Sequence, residues 1–263
     1  MAMDKELWGL LDGSVLDRIV VVSPHFDDAA LGAAHLIGPH PDCTVVTVMG
    51  GRPDAYPTEV SEWDAAGGFQ AGDDIVAVRR EEDREAMALL GAATVWLEFV
   101  DHQYVAPDRR PAPADVAPVL ERAVRDIGPT AVFLPMGLAN PDHGLTHAAG
   151  LRVRDALGAG PGAPLWFAYE DAGYKHLPGL LAWRISTLFR RGLWPTPSVV
   201  PMQVDMAAKR AAIACYASQV AALEGEHLLA ERLDANVPEQ YWRLDPPPEG
   251  WEALSSLDDP DAR

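Results

Sequence analysis

Ile19-Val20-Val21-Val22 is an unbroken run of β-branched residues with no polar alternation. Such a run suits a strand buried on both faces, and strands of that kind belong to parallel sheets covered by helices on each side. The next residues narrow the choice further. Ser23-Pro24-His25-Phe26-Asp27-Asp28 comes directly after the run, and the small-residue helical pattern from Ala29 to Ala34 comes directly after that. A buried strand therefore ends in an imidazole and two carboxylates. In an open α/β sheet, the carboxyl edge of a strand is where ligands bind. An ordinary strand–helix turn has no use for three ionisable groups in four residues. A metal ion with a base beside it does.

The same alternation recurs along the chain. Apolar, β-branched or aromatic runs predict strands at 18–23, 44–49, 94–100, 131–134 and 165–169, and helical periodicity predicts helices at 28–38, 73–91, 115–127 and 143–157. Strands alternating with helices imply an α/β fold: a Rossmann-like, mainly parallel sheet with helices on both faces and right-handed crossovers. Residues 51–72 have no clear period and carry Tyr56, Trp63 and Phe69. A long loop with that many aromatics reads as a flap over a substrate, or as a segment docked on the core. Beyond residue 172 the pattern loosens. Trp183 to Trp194 reads as an irregular excursion, 199–204 as an edge strand because of Pro201, and 205–223 as a helix. The Pro-rich, acidic tail from 236 is expected to be held partly through Tyr241 and Trp242. Residues 1–172 then form the metal-binding core, and 173–263 form a C-terminal extension completing the same domain.

Composition excludes some partners. Lys+Arg number 21 against 39 Asp+Glu, a formal net charge of −18 over 263 residues. That balance argues against nucleic acid or an anionic membrane as the partner, and otherwise serves solubility. No apolar run approaches the ~20 residues that span a bilayer, and the first residues lack a signal-peptide pattern. Two cysteines, Cys43 and Cys215, make no disulfide framework and fit a reduced, cytoplasmic setting. Assembly into a homo-oligomer is compatible with the sequence.

The predicted strand ends gather the ionisable groups: His25-Asp27-Asp28, Asp101-His102, Asn140-Asp142-His143 and Glu170-Asp171. In a parallel sheet these ends share one edge. His25 and Asp28 have the spacing for two ligands from one turn, and His143 supplies a third. Three protein ligands with an open position describe a catalytic zinc site, in which bound water ionises near pH ~7. Asp27 diverges from its neighbour Asp28 and is free to accept a proton. The competing reading makes Asp27 or Asp28 a helix cap, which leaves His25 unexplained. His102 is placed to reach the site, whereas His35, His40, His176 and His227 have no evident partners in the sequence.

Pro24-His25-Phe26-Asp27-Asp28 resembles the proline-histidine-x-aspartate-aspartate signature of the zinc-dependent PIG-L/LmbE-like N-deacetylases, the N-acetylglucosaminyl deacetylase type. Asn140-Pro141-Asp142-His143 resembles that family's histidine-proline-aspartate-histidine. Arg79-Arg80-Glu81-Glu82, with Ala86 and Leu90-Gly91 downstream, resembles its arginine-x-x-glutamate helix. Tyr169-Glu170-Asp171 and Tyr216-Ala217-Ser218-Gln219 are similar to sequences common in relatives. The resemblance covers about residues 17–222. It implies zinc bound by His25, Asp28 and His143, with ferrous iron as the alternative metal in the cell, and Asp27 as general base. It places Arg79 and Asp101 near the substrate, an N-acyl amino sugar or a glycoconjugate such as a natural-product intermediate.

One departure stands out. The family's second motif opens with a histidine thought to support the oxyanion, and this chain has Asn140 there. An asparagine amide donates a hydrogen bond but carries no proton to a leaving amine. His147, four residues after His143 and on the same helix face, is the expected partial replacement. A second class of function is a non-catalytic small-molecule or nucleotide-binding Rossmann-like protein. Bulky His25-Phe26-Asp27-Asp28 stands against nucleotide binding, because a pyrophosphate needs bare glycine backbone after the first strand.

Overall fold

The computed structural model describes residues 13–247 except 159, 161, 201, 202 and 236. The described residues build one seven-stranded sheet in the order β3-β2-β1-β4-β5-β7-β6. Its strands are β1 (Ile19–Ser23), β2 (Cys43–Thr47), β3 (Ala93–Trp96), β4 (Ala131–Pro135), β5 (Leu165–Tyr169), β6 (Trp194–Ser198) and β7 (Tyr241–Asp245). β1 to β5 are parallel, with Val20 opposite Thr44 and Val21 opposite Phe133. β7 runs antiparallel to both β5 and β6.

The β-branched run is buried on both faces, as its lack of alternation requires. Ile19 and Val21 enter one apolar core, and Val20 and Val22 the other. The first core is closed by α1 (Asp28–Ile37), α3 (Ile75–Leu90) and α7 (Met206–Cys215); the second by α4 (Pro113–Ile127), α5 (Pro141–Leu157) and α6 (Leu180–Arg190). Gly32 lets α1 lie directly on β5, because a Cβ there would come within 2.8 Å of the Tyr169 ring. The Tyr169 hydroxyl donates to the Val22 carbonyl at 3.0 Å and ties β5 back to β1.

β1 is flanked by β2 on one side and β4 on the other. The chain builds outward from β1 through β2 and β3, then starts again at β4. The crevice between the carboxyl ends of β1 and β4 is thus a topological switch point, where open α/β sheets bind ligands. The turn after β1 carries His25 to Asp28. The loop after β4 carries Asn140 to His143.

Four parts of the chain differ from the sequence expectation. The 51–72 loop contains α2 (Glu62–Ala66), capped by Ser61, whose hydroxyl accepts from the Asp64 amide at 3.1 Å. The excursion after residue 172 is largely helical, as α6. The edge strand is Trp194–Ser198 rather than 199–204, and Pro201 lies outside the described residues. Pro195 and Pro197 fit it because it is an outer strand with one free side. The helix expected at 205–223 breaks at Tyr216 into α7 and α8 (Ala217–His227), and α9 (Leu229–Asp234) comes next. Tyr241 and Trp242 form part of β7, and the tail beyond residue 247 lies outside the described residues. No described helix is long and apolar enough to cross a membrane.

Candidate metal centre

The turn after β1 is set by its own side chains. The Ser23 hydroxyl donates to the His25 carbonyl at 2.6 Å and accepts from the Ala29 amide at 3.0 Å. Asp28 accepts from the His25 amide at 3.0 Å. Asp27 occupies the cap position of α1 without making a side-chain cap bond. The capping explanation therefore does not account for Asp27, which is buried and caps no amide of the helix.

The loop after β4 needs unusual backbone. Gly137 and Ala139 both have positive φ, 76° and 55°, and left-handed backbone at a non-glycine costs about 1 kcal/mol or more. The strain is held by Asp171, at the end of β5, which accepts from the Leu138 amide at 3.1 Å. Asn140 then caps α5, its Oδ1 accepting from the Asp142 amide at 2.8 Å. That bond leaves the amide N–H₂ as the donating group, with the Tyr174 hydroxyl within its reach.

These two turns bring His25, Asp28 and His143 together. Asp28 Oδ2 lies 3.3 Å from His25 Nδ1 and 3.2 Å from His143 Nε2. One ligand atom from each falls within 4.8 Å of the others, a spacing able to hold a metal ion. The far nitrogens of both rings are also committed. His143 Nδ1 is 2.6 Å from Asp171 Oδ1. His25 Nε2 is 3.1 Å from Asp142 Oδ2, the same oxygen that His102 approaches with Nδ1 at 2.9 Å and its amide at 3.0 Å. A carboxylate behind each imidazole keeps the proton on the far nitrogen and turns a lone pair inward, the usual outer support of a metal-binding histidine. The donor set fits a divalent cation with two imidazoles, one carboxylate and an open side. His25, Asp101, His102 and Asp142 also have metal-compatible spacing, but their short bonds converge on Asp142 and serve to orient His25.

Charge obeys the same geometry in the metal-free protein. Burial works against ionised Asp28, yet His143 and His25 hold it far below the usual carboxylate range. Burial would lower His143, but the Asp28 charge and the Asp171 bond raise it to about 9. Burial likewise opposes the charged form of His25, which Asp142 and Asp28 nevertheless raise well above its ordinary value. Asp27 moves the other way. Burial first, and the Asp28 charge second, raise it to about 7. Two neighbouring carboxylates are thus pushed apart, a pattern that separates ligand from acid–base group.

Asp171 supports both the strained loop and the His143 ring, so its replacement should be felt at the metal. Asp171→Asn should weaken metal affinity about 10–100-fold, measured by competition with a chromogenic chelator.

A cavity opens over these groups. His25, Asp27, Asp28, Arg79, Asp101, Asn140 and His143 all line it. His147 does not. It is buried, its Nδ1 donates to the Pro135 carbonyl at 2.8 Å, and its Nε2 has no partner among the described residues. The shared helix face carries it back under the end of β4. Burial and the Arg184 charge lower its pKa to about 3, so the folded protein keeps it neutral where an unfolded chain would protonate it. Stability should therefore fall as pH drops from about 6.5 toward 3, by at most ~1.4 kcal/mol per pH unit from this group. Urea midpoints across that window check it: His147→Asn should flatten the slope.

Gln103, Tyr174, Glu226 and His227 border the cavity and lay outside the sequence expectation; His102, Gln219 and Trp63 of the long loop border it too. The Tyr174 ring packs edge-on to His143 at 5.3 Å and to His227 at 5.1 Å between centroids. A sequence signal existed for His102, adjacent to a strand end, for Gln219, within a motif, and for Trp63, in the aromatic-rich loop. Tyr174, Glu226 and His227 come from the C-terminal part, whose path the sequence leaves undefined.

Sequence and structural comparisons agree with this geometry. A profile of the PIG-L family, described as GlcNAc-PI de-N-acetylase, matches residues 20–154. The crystal structure of the pseudoaglycone deacetylase Dbv21 is 25% identical, with a TM-score of 0.69 covering 88% of this chain and 98% of that one. The zinc-inhibited form of the teicoplanin deacetylase Orf2 is 22% identical, with a TM-score of 0.70 covering 89% of this chain and 100% of that one. The N,N'-diacetylchitobiose deacetylase of Pyrococcus horikoshii is 18% identical, with a TM-score of 0.55 over 94% of each chain. At those identities the last two share the fold. No curated protein matches by sequence. The matched span holds both turns that carry His25, Asp28 and His143, and takes in just over half of the chain. The chain belongs to the PIG-L/LmbE-like deacetylase family.

Proposed function

We propose that this chain is a zinc-dependent N-deacetylase that frees the amine of a neutral N-acyl amino sugar, carried on a glycoconjugate such as a natural-product intermediate. Membership in the family makes it a metal-dependent deacetylase. The substrate, the metal and the division of labour among the residues are what is proposed. The observation that carries the reading is the meeting of His25, Asp28 and His143 around one carboxylate oxygen, beside an Asp27 that makes no cap bond.

His25, Asp28 and His143 would hold zinc or ferrous iron. When bound, the cation supplies a Lewis acid and a water that ionises near neutral pH. Asp27 accepts the proton of the attacking water and later returns it to the departing amine, a cycle for which its burial beside the ligand set places it. The Asn140 amide, oriented by its bond to Asp142, donates to the carbonyl oxygen as it gains charge. Asp142 and Asp171 hold the two histidines in orientation. Asp101 accepts from sugar hydroxyls. His147 has no part in this scheme, because it does not line the cavity.

The neutral charge of the substrate is inferred from the wall. The Arg79 guanidinium is committed to Asp64 at 2.7 Å. Asp101 and Glu226 also face the cavity, within a chain of net charge −18. A phosphate group finds no uncommitted Lys or Arg among the described lining residues. Amine release should be measured for neutral acetylated amino sugars and for their phosphorylated counterparts. Preference for the neutral compounds is expected; preference for the phosphorylated ones would overturn the assignment.

A further inference from the structure

The 51–72 loop reaches the cavity through a fixed contact. Asp64, buried on α2, accepts from Arg79 Nη2 at 2.7 Å with one oxygen and from the Tyr104 hydroxyl at 2.9 Å with the other. Phe69 covers the Arg79 guanidinium at 5.6 Å from its ring centre. The loop also runs tight against α8, since a Cβ on Gly67 would come within 2.1 Å of the Ser218 carbonyl oxygen. Ser61 donates to Gln103 at 3.0 Å. These contacts fix α2 on both sides, and Trp63 stands next to Asp64 in the same turn. The indole packs partly against the apolar core and partly lines the cavity.

Two buried donors belong to residues lining the same cavity. Gln219 Nε2 and Arg79 Nε have no hydrogen-bond partner among the described residues, although both residues line this cavity and both are buried. Leaving a buried donor unpaired costs about 1–3 kcal/mol. A wall that combines a flat aromatic face, two unpaired donors and the carboxylate of Asp101 suits a ligand with an apolar face rimmed by oxygen atoms. A pyranose ring has that form: its axial C–H bonds make one apolar face, and its hydroxyls and ring oxygen lie around the edge.

We infer that Trp63 and Gln219 form a pyranose subsite, in which the sugar ring stacks on the indole and an oxygen at its edge accepts from Gln219, with Asp64 as the positioning residue that holds Trp63 there. The inference rests on the amino-sugar reading of the site and adds the residues that recognise the ring. Nothing in the chemistry of the metal ligands requires an aromatic platform, so an acyclic N-acetyl amide gains little from it. Sugar specificity is then a property of α2 and α8, separate from the reacting groups.

The test compares N-acetylglucosamine with acyclic N-acetylethanolamine as substrates of the zinc-loaded full-length protein. For Trp63→Ala, the ratio of kcat/KM for the sugar over the acyclic amide should fall roughly tenfold, through KM rather than kcat, and Trp63→Tyr should restore most of it. Gln219→Met, which keeps the volume and removes the donor, should lower the ratio about fivefold. Asp64→Asn should shift the ratio in the same direction as Trp63→Ala. A second readout needs no turnover: N-acetylglucosamine should change the tryptophan fluorescence of the metal-free protein, and that change should be missing in Trp63→Phe. An unchanged ratio in Trp63→Ala, or the same fluorescence change in Trp63→Phe, would overturn the subsite. If the wild type releases no amine from any sugar, the deacetylase assignment to sugars fails, and the fluorescence comparison still judges the subsite; absence of any sugar-induced change overturns it as well.

Discussion

Asp27→Asn should lower the rate of amide hydrolysis about 10²–10⁴-fold and leave the bound metal near one equivalent per chain. The substitution keeps the shape of the side chain and removes its capacity to take a proton. Asp27 is buried, makes no cap bond to α1 and lines the cavity beside the ligand set. Burial and the charge of Asp28 raise it to about 7 in the metal-free protein. A cation held by its neighbours pulls a carboxyl back down, so the base form extends below pH 7 in the loaded enzyme. The sign is fixed in either state: activity falls as pH drops through the apparent pKa of Asp27, because the protonated group cannot accept from water. In Asp27→Asn that acidic limb should disappear from the kcat profile. Full activity with an intact limb would remove Asp27 from the reaction.

His25→Ala has the second large effect. It deletes one of the three proposed ligands and also the group through which Asp142 would support the site. Loss of an outer partner alone costs 10–100-fold in metal affinity, so loss of a ligand should exceed about 100-fold. The protein should purify with little metal, lose the thermal stabilisation that added zinc gives the wild type, and hydrolyse amides at a background rate. Asp28 keeps its contact with His143, so the metal-free variant should fold. His25→Ala that retains stoichiometric metal and turnover would refute the ligand set.

The inner strands were legible in the sequence because they are covered on both faces. β1 and β4 each read as continuous apolar runs, and a run of that kind has few alternatives. The same logic placed His25, Asp28 and His143 at strand ends on one edge, and the switch point between β1 and β4 explains why they meet. Short or peripheral elements left weaker signals. α2 has five residues, too few to hold a helical period or to form without tertiary contacts. β7 needs β5 and β6 on either side, and its Arg243 and Asp245 hide its strand character. β6 contains two prolines and is permitted only by its place at the rim. The outer carboxylates Asp142 and Asp171 stood within polar clusters, but their task of orienting His25 and His143 depends on distances that spacing does not specify. His147 shows the limit of helical periodicity. A residue four positions after a ligand shares its helix face, yet the helix axis carries it under the sheet edge and away from the cavity. His227 shows the converse, since its position depends on α8 and α9 folding back over Tyr174.

One metal on His25, Asp28 and His143 should serve the hydrolysis of an N-acyl amino sugar, and metal titration tests this without intermediate assumptions. Amine release is measured from a panel of acetylated amino sugars and their glycoconjugates, with protein stripped of metal and then titrated with zinc. No amine is expected from the stripped protein. Activity should rise to a plateau at about one zinc per chain, with equal amounts of free amine and acetate. Amine release that persists without metal, or a fully loaded protein that hydrolyses no member of the panel, would contradict the assignment.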